Sequence, residues 1–538
     1  MDLDWRICSR ARLSRDPRFD GKFFIGVVGS GVYCRSICPA PTAMEKNVRY
    51  FPTAAAAAEA GFRPCLRCRP ECSPGTPAWV GTPNTVSRAL RLIDESGIED
   101  GGVEVLAERL GVGARHLRRL FLRHLGAPPS AVAQTRRLHF AKKLIDETRL
   151  PMSQLAIASG FGSVRRFNAA IRKVFHRTPT EIRRLARQKG VAHENEYLFR
   201  LRFRPPYDWN GMLAFLKPRA TPGVEAVENG IYRRSVSLTG SARNEHGYFE
   251  ASLDESGVAL LARVQFGNPR ALFFIVERIR AMFDLNADWA TIVASLKGDP
   301  ALASCLEAHP GLRVPGCWNG FELAVRAILG QQISVKGATT LAGRIAEAFG
   351  RPLAGAGNLT RLFPTPASLA DAPLTRVGLT PSRAETIRAL ARAVCDGRLA
   401  FEGVVDSDAF LDKLCEIPGI GNWTAQYVAM RALGEPDAFP SGDLGLLRAL
   451  DLRNPREIEE RSQDWRPWRA YAAMYLWRTA ALDRQATRRV GRSQGPASKH
   501  QARGQRSDDR SALKHRAVAS KGGEVVTSTV WANPSGGR

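Results

Sequence analysis

With 538 residues, the chain is too long for a single hydrophobic core and is expected to form three or more domains. Its 78 Lys and Arg residues outnumber its 52 Asp and Glu residues, and the formal net charge of +26 indicates a polyanionic partner. The sequence contains neither a run of eighteen apolar residues nor a secretory signal. We therefore expect a cytoplasmic, nucleoid-associated protein without a membrane partner.

Composition and periodicity divide the chain into five segments. Residues 1–78 combine short β-like runs with an Ala-rich helix and end in a linker-like stretch. Residues 84–190 form a series of basic amphipathic helices broken by Gly and Pro. Strand-like runs at 196–310 precede longer helices at 311–484, and the polar, basic stretch at 485–538 is predicted to be disordered. The predicted fold class is multidomain and mainly α, with α+β parts.

The first segment contains six of the ten cysteines. Four of them form two close pairs, Cys34 with Cys38 and Cys65 with Cys68, and this spacing suits tetrahedral zinc. The alternative is that these cysteines are simply buried. Cys8 and Cys72 are weaker ligand candidates. The remaining four are interpreted as buried structural thiols: Cys305, Cys317, Cys395 and Cys415.

The sequence around the paired cysteines, GVYCRSICPA and NVRYFPTAAAAAEAGFRPCLRCRPE, resembles the N-terminal domain of the Ada alkylation-response family. The resemblance implies that zinc-bound Cys34 accepts a methyl group from a DNA methylphosphotriester in a single turnover. Methylation would remove a negative charge from the cluster and strengthen its contact with DNA. The family's basic residues after Cys38 are absent, which leaves Arg35 and Lys46 to contact phosphate. A purely structural zinc is the alternative.

Two helix-turn-helix patterns follow, each with a basic second helix. The first reads LAERLGV and GARHLRRLFLRHLG, and the second reads MSQLAIASG and FGSVRRFNAAIRKVF. The pair resembles the AraC-type DNA-binding domain, which implies binding to promoter DNA, activation of transcription and contact with RNA polymerase. A structural helical bundle is the alternative. The candidate DNA contacts are Arg115, His116, Arg118, Arg119, Ser163, Arg165, Arg166 and Asn168.

A glycine hairpin marks the segment 311–484. The run LCEIPGIGNWTAQYV places Gly419 and Gly421 at a tight turn whose amides can meet a DNA phosphate. Trp423 and Tyr427 share a face of the next helix, and Asp443 precedes an apolar run. Each feature alone also fits an ordinary turn, core aromatics or a helix N-cap. Their order resembles the helix-hairpin-helix glycosylase superfamily.

The resemblance narrows to the AlkA-type 3-methyladenine DNA glycosylases through RFRPPYDWNGMLAFLKPRA, PGLRVPGCWNGFELAVRAILGQQISV and WRPWRAYAAMYLW. It implies that Asp443 is the catalytic carboxylate and that the hairpin holds a monovalent cation. Gln332 stands where the family inserts a leucine wedge into DNA. An aromatic slot would favour a cationic alkylated base through cation–π contacts. The implied base pocket comprises Trp423, Tyr427, Phe215 and Trp477.

Together, these segments predict a regulator and enzyme of DNA alkylation repair. It is expected to bind double-stranded DNA carrying methylphosphotriesters or N-alkylated purines such as 3-methyladenine, and to excise the purines as a monofunctional glycosylase. One alternative is a transcription regulator whose glycosylase-like half only binds DNA. Another is a glycosylase whose first 190 residues serve damage targeting alone. The Pro-Cys-His-Arg motif of alkylguanine transferases is absent, so no repair at guanine O6 is expected.

Overall fold

The structure is a computed structural model that describes residues 4–75, 84–96, 102–185, 195–238, 245–403 and 406–480. The basic tail and most of the linker-like stretch at residues 72–83 lie outside these ranges. No helix within them has the length and hydropathy needed to cross a membrane. We refer to residues 4–75 as the cysteine module, 84–185 as the helix-turn-helix module and 195–480 as the C-terminal half.

The cysteine module is built on a four-stranded sheet, and its Ala-rich helix Ala54–Glu59 forms as predicted. Gly26 is required on the central strand because a Cβ there would lie 2.7 Å from the Phe51 ring. The helix Trp5–Leu13 and the short strands at the two sheet edges were not predicted. In sheet order the strands are Val48–Phe51, Phe24–Val27, Val32–Arg35 and Arg63–Pro64.

The helix-turn-helix module is all-α, as predicted. Gly111, Gly126 and Gly160 have φ values of 65°, 70° and 72°, so these glycines end helices in the left-handed region. The second recognition helix buries residues four apart, which is the spacing of one helix face. The helices are Asn84–Ser96, Gly102–Arg109, Ala114–Leu125, Pro129–Glu147, Met152–Ala158, Val164–Phe175 and Pro179–Leu185.

The C-terminal half begins with a five-stranded antiparallel sheet. Its first strand alternates buried and more exposed residues, so one face packs into the core. That core also includes Phe167 and Ile171 of the helix-turn-helix module. Three of the strands were predicted, whereas Glu225–Glu228 and Glu245–Leu253 were not. The sheet order is Glu196–Arg202, Ala259–Phe266, Glu245–Leu253, Ile231–Leu238 and Glu225–Glu228.

Helices form most of the remainder and surround the almost fully buried helix Gly320–Gly330. The strands Pro352–Ala356 and Leu359–Arg361 add a small hairpin that was not predicted. The other helices are Trp209–Leu216, Leu272–Met282, Trp289–Leu296, Pro300–Ala308, Val335–Phe349, Pro366–Leu369, Pro381–Cys395, Ser407–Cys415, Asn422–Val428, the π-helical turn Ala429–Leu433, Leu444–Ala449, Pro455–Arg461 and residues 469–480.

Buried polar contacts join the cysteine module to both other regions. Arg204 of the C-terminal half is 1% exposed and donates to the carbonyl oxygens of Asp20 at 2.9 Å, Asn286 at 2.7 Å and Gly75. Burial lowers the pKa of Arg204 to about 10. The Tyr33 hydroxyl lies 2.8 Å from Nε2 of His139 in the helix-turn-helix module. Losing either contact would leave buried polar groups without partners.

Candidate functional site

The glycine hairpin connects the helices Ser407–Cys415 and Asn422–Val428. Gly419 has φ +90°, and a Cβ there would lie 2.2 Å from Oγ1 of Thr386, so only glycine fits. A Cβ at Gly421 would meet no atom within 4 Å. Gly419 is therefore needed because the hairpin backbone packs closely against Thr386 of the protein itself. The space next to Gly421 is open, so a ligand can approach the backbone there.

Asp443 is the N-cap of the helix Leu444–Ala449, so the ordinary structural interpretation of this residue is correct. Its Oδ1 accepts hydrogen bonds from the backbone amides of Gly445 at 2.8 Å and Leu446 at 3.1 Å. The same carboxylate also accepts from two indoles: Trp477 Nε1 donates to Oδ1 at 2.9 Å and Trp423 Nε1 donates to Oδ2 at 3.0 Å. The cap fixes a half-buried carboxylate against two tryptophans.

An aromatic slot forms beside this carboxylate. Trp423 and Tyr427 stack with ring centroids 5.5 Å apart and planes 11° apart, and the Trp477 ring lies 6.2 Å from Tyr427. Phe215 joins the group through Arg431, whose Cζ lies 5.0 Å from the Phe215 centroid and 5.4 Å from that of Tyr427. The structure thus brings together the four aromatic residues of the implied pocket, and we call them the aromatic slot.

Two arginines in the slot were not anticipated. Arg219 places its Cζ 3.9 Å from the Phe215 centroid and donates to the Phe215 carbonyl at 3.0 Å. Arg431 lies on the π-helical turn and donates to the Tyr427 hydroxyl at 2.6 Å. Burial tends to raise the pKa of Tyr427, but the two guanidinium groups outweigh it and lower the pKa below its ordinary value. The slot therefore has cationic walls as well as aromatic faces.

A sequence signal for these arginines existed. Arg219 follows Phe215 by four residues and Arg431 follows Tyr427 by four, which is the spacing of neighbours on one helix face. The spacing does not say whether the long side chains turn towards the rings or towards solvent. In the structure the Arg431 side chain turns into the protein, because its Nε donates to the Pro315 carbonyl at 2.8 Å.

Gln332 is exposed beside the hairpin, in the loop between Gly320–Gly330 and Val335–Phe349. Its φ of 57° lies in the left-handed region, which is costly for a residue with a Cβ. Gln331 holds the loop in place: its Nε2 donates to the Gly419 carbonyl at 2.9 Å and to Thr424 Oγ1 at 3.0 Å. A strained, exposed tip therefore lies next to the glycine turn.

The paired cysteines converge. The Sγ atoms of Cys34, Cys38, Cys65 and Cys68 all lie within 4.8 Å of one another. Four thiolates around zinc at about 2.3 Å would lie roughly 3.8 Å apart, so the donor set and its spacing fit this metal. Cys68 is 6% exposed and accepts a hydrogen bond from the Arg35 backbone amide at 3.4 Å, whereas the other three are half-buried.

The expectations for Arg35 and for two later cysteines need correction, whereas the low rank of Cys8 and Cys72 as ligands is confirmed. Arg35 is 2% exposed and its guanidinium is paired with the carboxylate of Asp20, so it is not available to contact phosphate, whereas Lys46 is exposed. Cys8 packs among apolar residues, and burial raises its pKa to about 11. Neither Cys8 nor Cys72 belongs to the four-sulfur group. Two of the later cysteines are exposed, contrary to expectation: Cys395 and Cys415.

The basic recognition helices expose their charged faces. In Ala114–Leu125 the candidates Arg115, His116, Arg118 and Arg119 are exposed, while Leu117, Phe121 and Leu125 are buried. In Val164–Phe175 the candidates Arg165, Arg166 and Asn168 are exposed. Ser163 instead caps this helix, because its hydroxyl accepts from the Arg166 amide at 3.2 Å. Both helices can therefore present cations to a polyanion.

Four family models match consecutive parts of the chain. The metal binding domain of Ada matches residues 7–71, and a helix-turn-helix domain matches residues 106–185. The AlkA N-terminal domain matches residues 198–319. The HhH-GPD superfamily of base excision DNA repair proteins matches residues 325–463.

Three curated relatives match over different lengths. A Mycobacterium tuberculosis protein named probable bifunctional transcriptional activator/DNA repair enzyme AlkA is 40% identical over 89% of this chain and 97% of its own length. Escherichia coli DNA-3-methyladenine glycosylase 2 is 34% identical over 52% of this chain and 97% of its own length. The Escherichia coli bifunctional transcriptional activator/DNA repair enzyme Ada is 35% identical over 23% of this chain and 33% of its own length.

The zinc assignment makes a first prediction. The purified chain should hold about one zinc ion, and Cys38→Ser should lose it to a chelator much faster, because three thiolates remain of four. Cys72→Ser removes a thiol of the same module from outside the group and should retain its metal. Elemental analysis after dialysis against a chelator measures both. Equal metal loss from the two variants would contradict the assignment.

Proposed function

Because this chain belongs to the family of bifunctional transcriptional activator/DNA repair enzymes AlkA, we propose that it excises alkylated bases from DNA and links this repair to gene regulation. The observation that carries the proposal is the Asp443 carboxylate held by two indole donors at the edge of an aromatic slot. The helix cap alone does not account for this arrangement, because a neutral Ser or Asn would cap the helix without placing a negative charge beside a polyanion.

In the proposed reaction, the damaged nucleotide leaves the duplex and its base enters the aromatic slot. The bond between C1′ of the sugar and the base nitrogen breaks, and its electron pair leaves with the base. Asp443 stabilises the positive charge that develops on the sugar, orients the water whose oxygen bonds to C1′ and accepts the proton that this water loses. Among the described residues, the donors to Asp443 are two indoles and two backbone amides. Without an amine there, no Schiff base forms and an abasic site remains.

The two arginines change how the slot recognises its base. Arg219 and Arg431 already lie against the Phe215 and Tyr427 rings, so a cationic base gains less cation–π attraction than bare aromatic faces would give. The remaining N–H groups of Arg219 can instead donate to acceptors on the base edge and stabilise the negative charge that a neutral base carries as it departs, whereas Arg431 already donates to three protein oxygens. We therefore propose that the slot also serves neutral leaving bases.

DNA contact is proposed at the hairpin and the adjacent loop. Gly421 leaves open space for a phosphate, and exposed Gln332 fills the gap left by the extruded base. The proposed monovalent cation would bind carbonyl oxygens of the same turn, of which that of Gly419 already accepts from Gln331.

For the cysteine module we propose methyl transfer to Cys34. Bound zinc would keep the four thiols ionised at neutral pH. The Cys34 sulfur attacks the methyl carbon of a methylphosphotriester, the bond from that carbon to the phosphate oxygen breaks, and the phosphodiester leaves as an anion. Cys34 lies on the strand Val32–Arg35 and is half-buried, whereas Cys68 lies deep in the module. This difference in exposure supports Cys34 over Cys68 as the acceptor.

The helix-turn-helix module is proposed to bind promoter DNA through the exposed faces of its two recognition helices. Contact with RNA polymerase and association with the nucleoid are part of this proposal. The buried contacts between Tyr33 and His139 would transmit loss of charge at the zinc cluster to this module.

Asp443→Asn should lower the single-turnover rate of base release from alkylated duplex DNA by a factor of about 100 or more, because the charge opposite the developing sugar cation is lost. Its affinity for DNA should remain within about threefold of the wild-type value, because the proposed reaction assigns Asp443 to the sugar and the water and assigns no phosphate contact to it. The matched control is Asp412→Asn, which removes an exposed carboxylate from the helix Ser407–Cys415. Equal rates of base release by wild type and Asp443→Asn would contradict the catalytic role proposed for Asp443 and would support only a DNA-binding role for this half of the chain.

Arg219→Gln should shift the lesion preference towards cationic bases. We expect the ratio of release rates for 7-methylguanine over hypoxanthine to rise by roughly tenfold, because one positive charge leaves the slot and a neutral base loses a charge-assisted hydrogen bond. Arg219→Lys keeps the charge and should restore part of the wild-type ratio. Parallel single-turnover assays on the two duplexes give both numbers. A ratio that stays constant in all three proteins would remove Arg219 from lesion selection.

Incubation with DNA carrying methylphosphotriesters should place one methyl group on the wild-type protein, and peptide mass spectrometry should find it on Cys34. Base release should persist after this modification, because the cysteine module and the aromatic slot do not share residues. Protein incubated with unmethylated DNA is the control. Methylation at Cys38 or Cys65, or none at any cysteine, would contradict the assignment.

A further inference from the structure

A second concave site adjoins the aromatic slot at Arg431 but is otherwise formed by different residues. It is a cavity of about 400 Å³ where the cysteine module, the helix-turn-helix module and the C-terminal half meet. Its walls include Cys72, His139, Arg202 and Arg280, so every region contributes to it. A volume of this order is typical of small-molecule sites. We call it the interdomain cavity.

The lining of the interdomain cavity is strongly basic. It contains eight Arg or Lys residues and four Asp or Glu residues. Three of these carboxylates already have partners: Glu71 lies 3.3 Å from Lys142 Nζ, Asp284 accepts from the Tyr471 hydroxyl at 2.7 Å, and Glu435 lies 3.3 Å from Arg91. Four of the basic residues pair with carboxylates as well: Arg91 with Glu435, Lys143 with Glu147, Arg200 with Asp254 and Arg278 with Glu402. The excess of positive charge is therefore smaller than the residue count suggests.

Arg202 is the lining residue best placed to bind an anion. It ends the strand Glu196–Arg202, is half-buried and lines the cavity. Within the described ranges, its guanidinium has neither an ion pair nor a hydrogen bond. Burial lowers its pKa and so do the neighbouring Arg35 and Arg200, whereas Cys72 and Asp20 act in the opposite direction. A half-buried guanidinium without a protein partner is available to bind an anion that enters the cavity.

The remaining walls are largely apolar and aromatic. Phe140 of the helix-turn-helix module and Phe273 of the C-terminal half meet edge to face, with centroids 5.0 Å apart, and both line the cavity. Phe24 and Phe274 lie on the same surface. An anion that carried only an oxyanion group would leave this apolar area uncovered, whereas a planar ring would cover it.

We propose that the interdomain cavity binds a nucleoside monophosphate-like ligand, with its phosphate on Arg202 and its ring against the aromatic wall. Guanidinium groups pair with phosphate oxygens through two parallel hydrogen bonds, which suits this assignment. The ligand would touch all three regions at once and would hold them together. It would also lie against the π-helical turn, because Arg431 lines the interdomain cavity as well as the aromatic slot.

Equilibrium dialysis of the zinc-loaded full-length chain against AMP, adenosine and inorganic phosphate tests this proposal. We expect saturable binding of AMP and at least about tenfold weaker binding of adenosine and of phosphate. No saturable binding of AMP at millimolar concentration would overturn the proposal. Binding of inorganic phosphate as tight as that of AMP would overturn the role of the ring, and equally tight adenosine would overturn that of the phosphate.

Arg202→Gln should weaken AMP binding by about tenfold or more, because it removes the charge that meets the phosphate. Arg263→Gln is the matched control: it removes an arginine from the adjacent strand whose side chain is 49% exposed and pairs with Glu196 outside the cavity. Thr135→Trp keeps every charge but fills the cavity, and it should also abolish binding. Base release from alkylated DNA verifies that each variant is folded. Wild-type affinity in Arg202→Gln or in Thr135→Trp would exclude the cavity as the site.

Discussion

Hydrogen bonds to the Asp443 carboxylate connect three helices of the C-terminal half, and the proposed reaction depends on how they orient it. Its two oxygens accept four hydrogen bonds, two from the helix that it caps and two from the indoles of Trp423 and Trp477. The hydrogen bonds of the cap hold the carboxylate at the start of its helix. The two indoles, which come from two other helices, fix the orientation of its oxygens. In the proposed reaction, a carboxylate with few remaining orientations would face the developing positive charge without first having to reorient, which is the condition for effective electrostatic stabilisation.

Buried hydrogen bonds join the three regions of the chain, and breaking them inside the protein would cost free energy. Arg204 reaches from the C-terminal half to the carbonyl of Asp20, whose side chain is paired with Arg35 beside Cys68. While they stay buried, groups of this kind have no water to replace a lost protein partner, so their contacts favour one arrangement over others. The four-cysteine group, the two basic helices and the aromatic slot therefore belong to one connected body, as the proposed link between repair and regulation requires.

Most of the correct predictions from the sequence depended on local residue patterns. The cysteine spacing, the glycine turns and the periodicity of the recognition helices depend on neighbours within one element, and they were predicted correctly. The strand Glu245–Leu253 was missed because Gly247 and its polar residues gain their place only from two flanking strands. Arg219, Arg431 and the burial of Arg35 were missed because a long side chain takes its direction from tertiary packing.

The most direct test of the central claim is a double-mutant cycle on the two indole donors. Trp423→Phe and Trp477→Phe keep an aromatic ring but remove the N–H that faces Asp443. If these donors aim the carboxylate, each variant should release alkylated bases about tenfold more slowly in single turnover, with DNA affinity unchanged and with non-additive loss in the double variant. Wild-type rates in both single variants would show that the orientation of Asp443 is not what drives base release.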